Sequence, residues 1–167
     1  TDNADRLGPV RALQSGILTT KDFKRLIIIF ILLAILSGTV LILTAFHSLL
    51  SYKSILMLFI GGAAAIAAVK YTIGKNPYGY RGLGDIFVFL FFGWVSTLGA
   101  YYLMTHQLNP DILLPATSIG FLTTGVLNIN NTRDIENDAQ CGKRTIPVLI
   151  GEKKAKTYHM ILIAGGI

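Results

Sequence analysis

Leu26-Ile-Ile-Ile-Phe-Ile-Leu-Leu-Ala-Ile-Leu-Ser-Gly-Thr-Val-Leu-Ile-Leu-Thr-Ala-Phe46 is a run of 21 residues without a charge. A helix that crosses a bilayer takes about 20 mostly apolar residues, so this run is long enough to span. Others follow it. Residues 54–69 are uncharged and close on Lys70, whose aliphatic stem can lie along the interface. Residues 86–110 are uncharged, with the helical part expected to end near Met104, and so are residues 112–132. A last apolar run begins near Tyr158 and reaches Ile167. The pattern predicts an all-α, polytopic transmembrane bundle with four full spans and the start of a fifth.

The whole composition agrees. Of 167 residues, 52% are hydrophobic and 14% charged, against about 25% charged in a soluble domain. That much apolar content excludes a disordered chain, and its long blocks argue against an ordinary soluble enzyme. One cysteine, Cys141, makes no internal disulfide and no zinc site alone. The chain opens at Thr1 without an initiator Met and closes inside an apolar run. It is therefore expected to be an internal piece of a longer polytopic protein.

The net charge of +6 follows membrane topology. Arg6, Arg11, Lys21, Lys24 and Arg25 precede the first span, and Lys53 alone marks the next loop. Lys70, Lys75 and Arg81 occupy the third, no Lys or Arg the fourth, and Arg133, Lys143, Arg144, Lys153, Lys154 and Lys156 the fifth. Alternating basic and non-basic loops put the basic ones on the cytoplasmic side. A basic balance distributed this way implies no nucleic-acid partner. Gly61, Gly62, Ala65 and Ala68, and likewise Gly93, Ser96, Thr97 and Ala100, form small faces suited to close helix packing.

Chemistry concentrates in Asn128-Ile-Asn-Asn-Thr-Arg-Asp-Ile-Glu-Asn-Asp138. Asp134 and Asp138 are four apart and share a helical face, with Asn131 beside them. Carboxylate oxygens suit Mg²⁺, which binds one or two carboxylates plus substrate phosphates. Arg133, Lys143 and Arg144 are cations for the outer phosphate oxygens. The competing reading is a solvated helix end, where such pairs are common. Three asparagines at the membrane end of a helix weigh against it, because polar groups there are expensive.

A second polar segment runs Tyr71-Thr-Ile-Gly-Lys-Asn-Pro-Tyr-Gly-Tyr-Arg-Gly-Leu-Gly-Asp85. Its glycines and Pro77 make a compact loop. Tyr71 and Lys75 can face one site if the helix persists that far. Asp85 suits a helix N-terminus as well as a site. The third segment, Asp2 to Gly16, is turn-rich and basic, and weak by itself. His47, His106, His159 and Cys141 have no partners at ligand spacing. The Gly-rich stretch lacks the P-loop pattern, and no Ser/His/Asp arrangement is readable.

Three blocks in order, Asp5-Arg-Leu-Gly-Pro-Val-Arg-Ala-Leu-Gln-Ser-Gly16, Tyr71 to Asp85 with the Phe-rich span through Gly93, and Leu127 to Asp138 with Gly142-Lys-Arg-Thr145, resemble the UbiA-type membrane prenyltransferases. Within them the sequence is most similar to the branch that prenylates 1,4-dihydroxy-2-naphthoate in menaquinone synthesis. The resemblance implies a fragment of a nine-span helical bundle with two Asp-rich motifs, residues 1–167 being one partial prenyltransferase domain, spans three to six and the start of seven. Asp134 and Asp138 match the second motif, Asp-x-x-x-Asp. The first, Asn-Asp-x-x-Asp, is expected just before Thr1, with Asp2 as its candidate trailing acid. Tyr71 and Lys75 match a Tyr-x-x-x-Lys element.

By that resemblance Asp134, Asp138 and Asp2 hold Mg²⁺, and Asp134, Asp138, Tyr71 and Lys75 are catalytic. Lys75, Arg133 and Lys143 bind diphosphate, and Arg6, Arg11, Gln14 and Asp85 recognise the aromatic acid. The implied partners are polyprenyl diphosphate, 1,4-dihydroxy-2-naphthoate and the lipid bilayer, here a bacterial inner membrane with cytoplasmic active-site loops. The implied products are demethylmenaquinone, CO2 and diphosphate. The piece alone is expected to be inactive. Two alternatives stand beside it: another aromatic acceptor, homogentisate or 4-hydroxybenzoate, and a cation-coupled transporter. Transporters place their acids near the bilayer midplane, whereas Asp134 and Asp138 fall at a span's end beside basic loops.

The topology makes a direct prediction. In a cysteine-free background, a cysteine at Lys153 reacts with a membrane-impermeant maleimide only from the cytoplasmic face, and one at Gln107 only from the opposite face. Labelling of both from one side refutes the alternation.

Overall fold

The computed structural model describes residues 15–72, 74 and 77–167. Among these there is no strand. Helix α1 is Thr20–Phe46 and α2 is Tyr52–Thr72. Then come α3 (Gly84–Val88), a π-helical stretch (Phe89–Val95) and α4 (Ser96–Thr105), which together make one continuous span. Helix α5 is Leu113–Arg133, α6 is Ile135–Gln140, α7 is Ile146–Ile150 and α8 is Glu152–Gly166. The chain divides into two compact units, with the boundary after Ala63; Ala64–Ile167 belongs to the unit that carries the polar loops.

Helix is what these segments must be. Hydrocarbon offers backbone N–H and C=O groups no partners, so each span satisfies them internally. Four helices, Thr20–Phe46, Tyr52–Tyr71, Gly84–Thr105 and Pro110–Arg133, are long and apolar enough to cross a membrane. Their outward faces carry Phe30 at 65% exposure and Leu36 at 61%. An apolar surface of that extent is incompatible with water and suited to lipid. The chain is an all-α polytopic membrane protein.

The helices overrun the uncharged stretches at their ends. Helix α1 begins six residues before Leu26 because Thr19 caps it: its Oγ1 accepts from the Asp22 N–H, and Asp22 Oδ2 accepts from the Thr19 N–H. This reciprocal box satisfies two donors at once. At the other end His47 turns left-handed (φ 56°), and its N–H donates to the Leu43 carbonyl.

In the second unit α5 packs against the π stretch on one side and α8 on the other. The first contact depends on two glycines. A Cβ on Gly93 would sit 2.6 Å from the Gly120 Cα and 2.8 Å from the Ala116 carbonyl oxygen, so only hydrogen fits. Phe89 packs edge-on against Phe121 and Trp94, and the Trp94 indole donates to Thr117 Oγ1. On the other side the Ser118 hydroxyl donates to the Gly166 carbonyl, and Asn128 Nδ2 to the Ala155 carbonyl at 3.0 Å. The small face that includes Gly93 thus packs closely. Gly61 and Gly62 have no described neighbour within 4 Å of a built Cβ.

Gly93→Val is expected to separate the π stretch from α5 and to lower stability by about 1–3 kcal/mol, the usual result of overpacking. Gly61→Val should leave stability within about 0.5 kcal/mol, as at open positions. Thermal aggregation of the detergent-solubilised protein measures both.

Candidate active site

Asp134 ends α5 and precedes α6, with φ −95° and ψ 16°, so the two acids do not sit on one unbroken helix. A single backbone bond keeps them a turn apart: the Asp138 N–H donates to the Asp134 carbonyl at 2.8 Å. Both carboxylates are nearly buried, Asp134 at 9% and Asp138 at 4% exposure. Each carries a cation. The Arg133 guanidinium grips Asp134 through two bonds of 2.9 Å, and Lys143 Nζ lies 2.7 Å from Asp138 Oδ1.

Lys143 reaches back because the chain reverses at Gly142 (φ +72°), a conformation that glycine adopts without strain. The Lys143 N–H then donates to the Asp138 carbonyl at 2.8 Å. The same reversal joins the two polar loops. The Arg144 N–H donates to the Tyr80 carbonyl at 2.9 Å, and the Lys143 ammonium stands 5.5 Å from the Tyr80 ring centre.

Tyr71, at the end of α2, faces this junction. Gly79 lies so close that a Cβ there would meet the Tyr71 carbonyl at 2.8 Å and its ring at 2.9 Å. The ring meets Tyr78 edge-on at 5.4 Å, and Tyr78 stacks on Phe87 at 4.1 Å. The Tyr78 hydroxyl donates to the Ala67 carbonyl at 2.6 Å, and burial pushes its phenol above the ordinary value. The Tyr71 hydroxyl lies within electrostatic reach of Asp85, Lys143 and Asp138. Tyr71, Asp138, Lys143 and Asp85 are thus drawn together from distant parts of the chain. Asp2, Arg6, Arg11, Gln14 and Lys75 lie outside the described residues, and α2 is described as ending at Thr72.

Asp85 has a partner that sequence reasoning missed. The Tyr158 hydroxyl, from α8, donates to Asp85 Oδ2 at 3.1 Å. The Thr124 hydroxyl bonds the Gly120 carbonyl at 2.8 Å and lies 3.5 Å from the Asp85 carbonyl. Spans α3, α5 and α8 are tied at this level. The only signal for Tyr158 in the sequence is its place near a span's basic end. Tyr80 was equally hidden, since an interfacial tyrosine reads as a membrane anchor.

Two clefts flank the site. One of about 670 Å³, beside Asp134, is lined by Asn128, Thr132, Arg133, Asn137, Lys156 and His159 among others. The other, of about 650 Å³, is almost wholly apolar and runs along Ala64, Ala68, Tyr71, Phe87 and Phe91. Among the described residues no three His, Cys, Asp or Glu cluster as a complete metal cage. Two buried carboxylates a turn apart nevertheless fit a hard dication that takes its remaining ligands from water and phosphate.

Buried acids, phosphate-sized cations and an adjoining apolar cleft at a span's end define a class: a membrane protein equipped for a charged head group on a greasy tail. The chain belongs to the UbiA prenyltransferase family, whose model matches residues 2–167. It is 48% identical over its whole length to a 1,4-dihydroxy-2-naphthoate octaprenyltransferase of Escherichia coli (strain K12), covering 54% of that protein. A protein of the same name from Haemophilus influenzae is 45% identical over 98% of this chain and 53% of its own length. One from Mycobacterium tuberculosis is 34% identical over 96% of this chain and 52% of its own. The chain spans about half the length of these relatives. No solved structure matches it.

Removing the Tyr158 hydroxyl strands a buried carboxylate. Tyr158→Phe is expected to lower stability by about 1–3 kcal/mol, and to have little further effect on top of Asp85→Ala. A double-mutant cycle by thermal denaturation measures the coupling; strict additivity refutes it.

Proposed function

We propose that the full-length protein transfers a polyprenyl group from polyprenyl diphosphate to 1,4-dihydroxy-2-naphthoate, with loss of CO2 and diphosphate, giving demethylmenaquinone. The observation that carries this reading is the pair of buried acids, each bearing a basic residue, beside an apolar cleft at the basic end of the spans. The names of the relatives supply the acceptor and the class of donor.

In this reading Asp134 and Asp138 hold Mg²⁺, with Asp2 as a third acid. When bound, the metal neutralises the diphosphate and polarises its leaving oxygen. Arg133, Lys143 and Lys75 take the outer phosphate oxygens, charge-assisted bonds being the strong ones. The Tyr71 hydroxyl donates to the departing group. The allylic C–O bond then breaks, and the electron-rich ring attacks the carbon that is left. Apolar side chains along α2 and the π stretch keep water from that carbocation. Arg6, Arg11, Gln14 and Asp85 bind the aromatic acid. The enzyme sits in a bacterial inner membrane with these loops on the cytoplasmic side. The 167 residues alone are inactive, since they carry the second of the family's two acidic motifs and only a candidate acid of the first.

Membranes bearing the full-length protein, incubated with radiolabelled prenyl diphosphate and Mg²⁺, should label 1,4-dihydroxy-2-naphthoate in preference to homogentisate or 4-hydroxybenzoate. Labelling of another acceptor alone overturns the assignment. Asp134→Ala and Asp138→Ala should each reduce transfer at least about 10³-fold, the scale of lost metal electrostatics, while inserting normally; EDTA should act likewise. Wild-type turnover by either variant removes the metal from the reading.

A further inference from the structure

The oxygens that suit a dication are already in use. Asp138 Oδ1 accepts from Lys143 Nζ at 2.7 Å, in a pair whose side chains are 6% and 13% exposed. A carboxylate this buried needs a counter-ion, because an uncompensated charge in such a place is strongly destabilising. An ammonium and a divalent cation repel each other, and the two cannot occupy one carboxylate together. Cation binding at Asp138 therefore requires Lys143 to move.

Lys143 has somewhere to go. Its ammonium already stands 5.5 Å from the Tyr80 ring centre, within range of cation–π attraction. Tyr80 is anchored independently, since its carbonyl accepts the Arg144 N–H. The Lys143 backbone is anchored too, through the Asp138 carbonyl. The side chain can swing while both of its platforms stay put.

We propose that Lys143 is an exchangeable counter-ion: it neutralises Asp138 until a divalent cation displaces it, and Tyr80 is the positioning residue that retains its ammonium for the incoming diphosphate. This rests on the reading of Asp138 as a metal ligand. One consequence is thermodynamic coupling. Metal alone must break the Lys143–Asp138 pair, whereas metal arriving with diphosphate gives the freed ammonium a new partner. Each ligand then tightens the other by the same factor.

Mn²⁺ binding to the detergent-solubilised full-length protein, followed by the electron paramagnetic resonance of the free ion, tests this without turnover. Lys143→Gln should bind Mn²⁺ alone about tenfold more tightly than wild type, the scale of one charge-assisted bond. Its gain on adding inorganic diphosphate should be smaller. A merely structural role for Lys143 predicts the opposite sign, so equal or weaker Mn²⁺ binding overturns the proposal. Tyr80→Leu should weaken Mn²⁺ binding several-fold while Tyr80→Phe, which keeps the ring, restores it; a Tyr80→Leu protein that binds like wild type removes Tyr80 from the device. Asp138→Asn separates the two levels. If it leaves Mn²⁺ binding intact, the metal reading itself fails. If it abolishes binding while Lys143→Gln changes nothing, only the exchange fails.

Discussion

Hydrocarbon cannot hydrogen-bond, and that one deficiency organises the molecule. It makes every span helical, and it leaves the charged groups to the span ends, where water or a partner is within reach. The polar chemistry is consequently crowded into two loops on the basic side. Span ends do not bring such loops into register by themselves. The Arg144–Tyr80 backbone bond does so, closing the loop after α2 onto the loop after α6. Gly82 (φ +76°) makes the approach possible: a Cβ there would lie 3.1 Å from the Arg144 carbonyl oxygen.

The acids are stabilised by similarly local means. Asp134 is gripped by its own chain neighbour, and Asp138 by a lysine five residues on. Local ion pairs need little long-range organisation, so both carboxylates can be charged and buried as soon as the α5–α6 corner forms. Asp85 differs. Its partner, Tyr158, is 73 positions away, and their bond waits on the docking of α8.

The difference between local and distant contacts also explains what could be read from the sequence. The spans were legible because an uncharged run of 21 residues has few alternatives. The acidic pair was legible because i,i+4 spacing survives the break at Asp134, through the Asp138 N–H bond. The break itself was not, since nothing in Arg133-Asp134-Ile135 forbids helix. The Tyr80–Lys143 and Tyr158–Asp85 contacts join separate segments, and neither periodicity nor propensity encodes such a meeting. The apolar pattern extended α3 smoothly into α4, but periodicity does not distinguish a π turn from an α turn.

That widened stretch, Phe89–Val95, has a bearing on how the chain tolerates change. A π turn arises when one residue more than usual is accommodated per turn, and it sets the phase of everything after it. Deleting a single residue there would relax the coil to ordinary pitch and swing Ser96–Thr105 by about 100° around its axis. Trp94 and Gly93 would no longer meet α5 in the same sector. Insertions and deletions are usually thought harmless in loops and ruinous in spans. Here the span contains one place where length and direction are traded against each other, and its aromatic wall is aimed by that surplus residue.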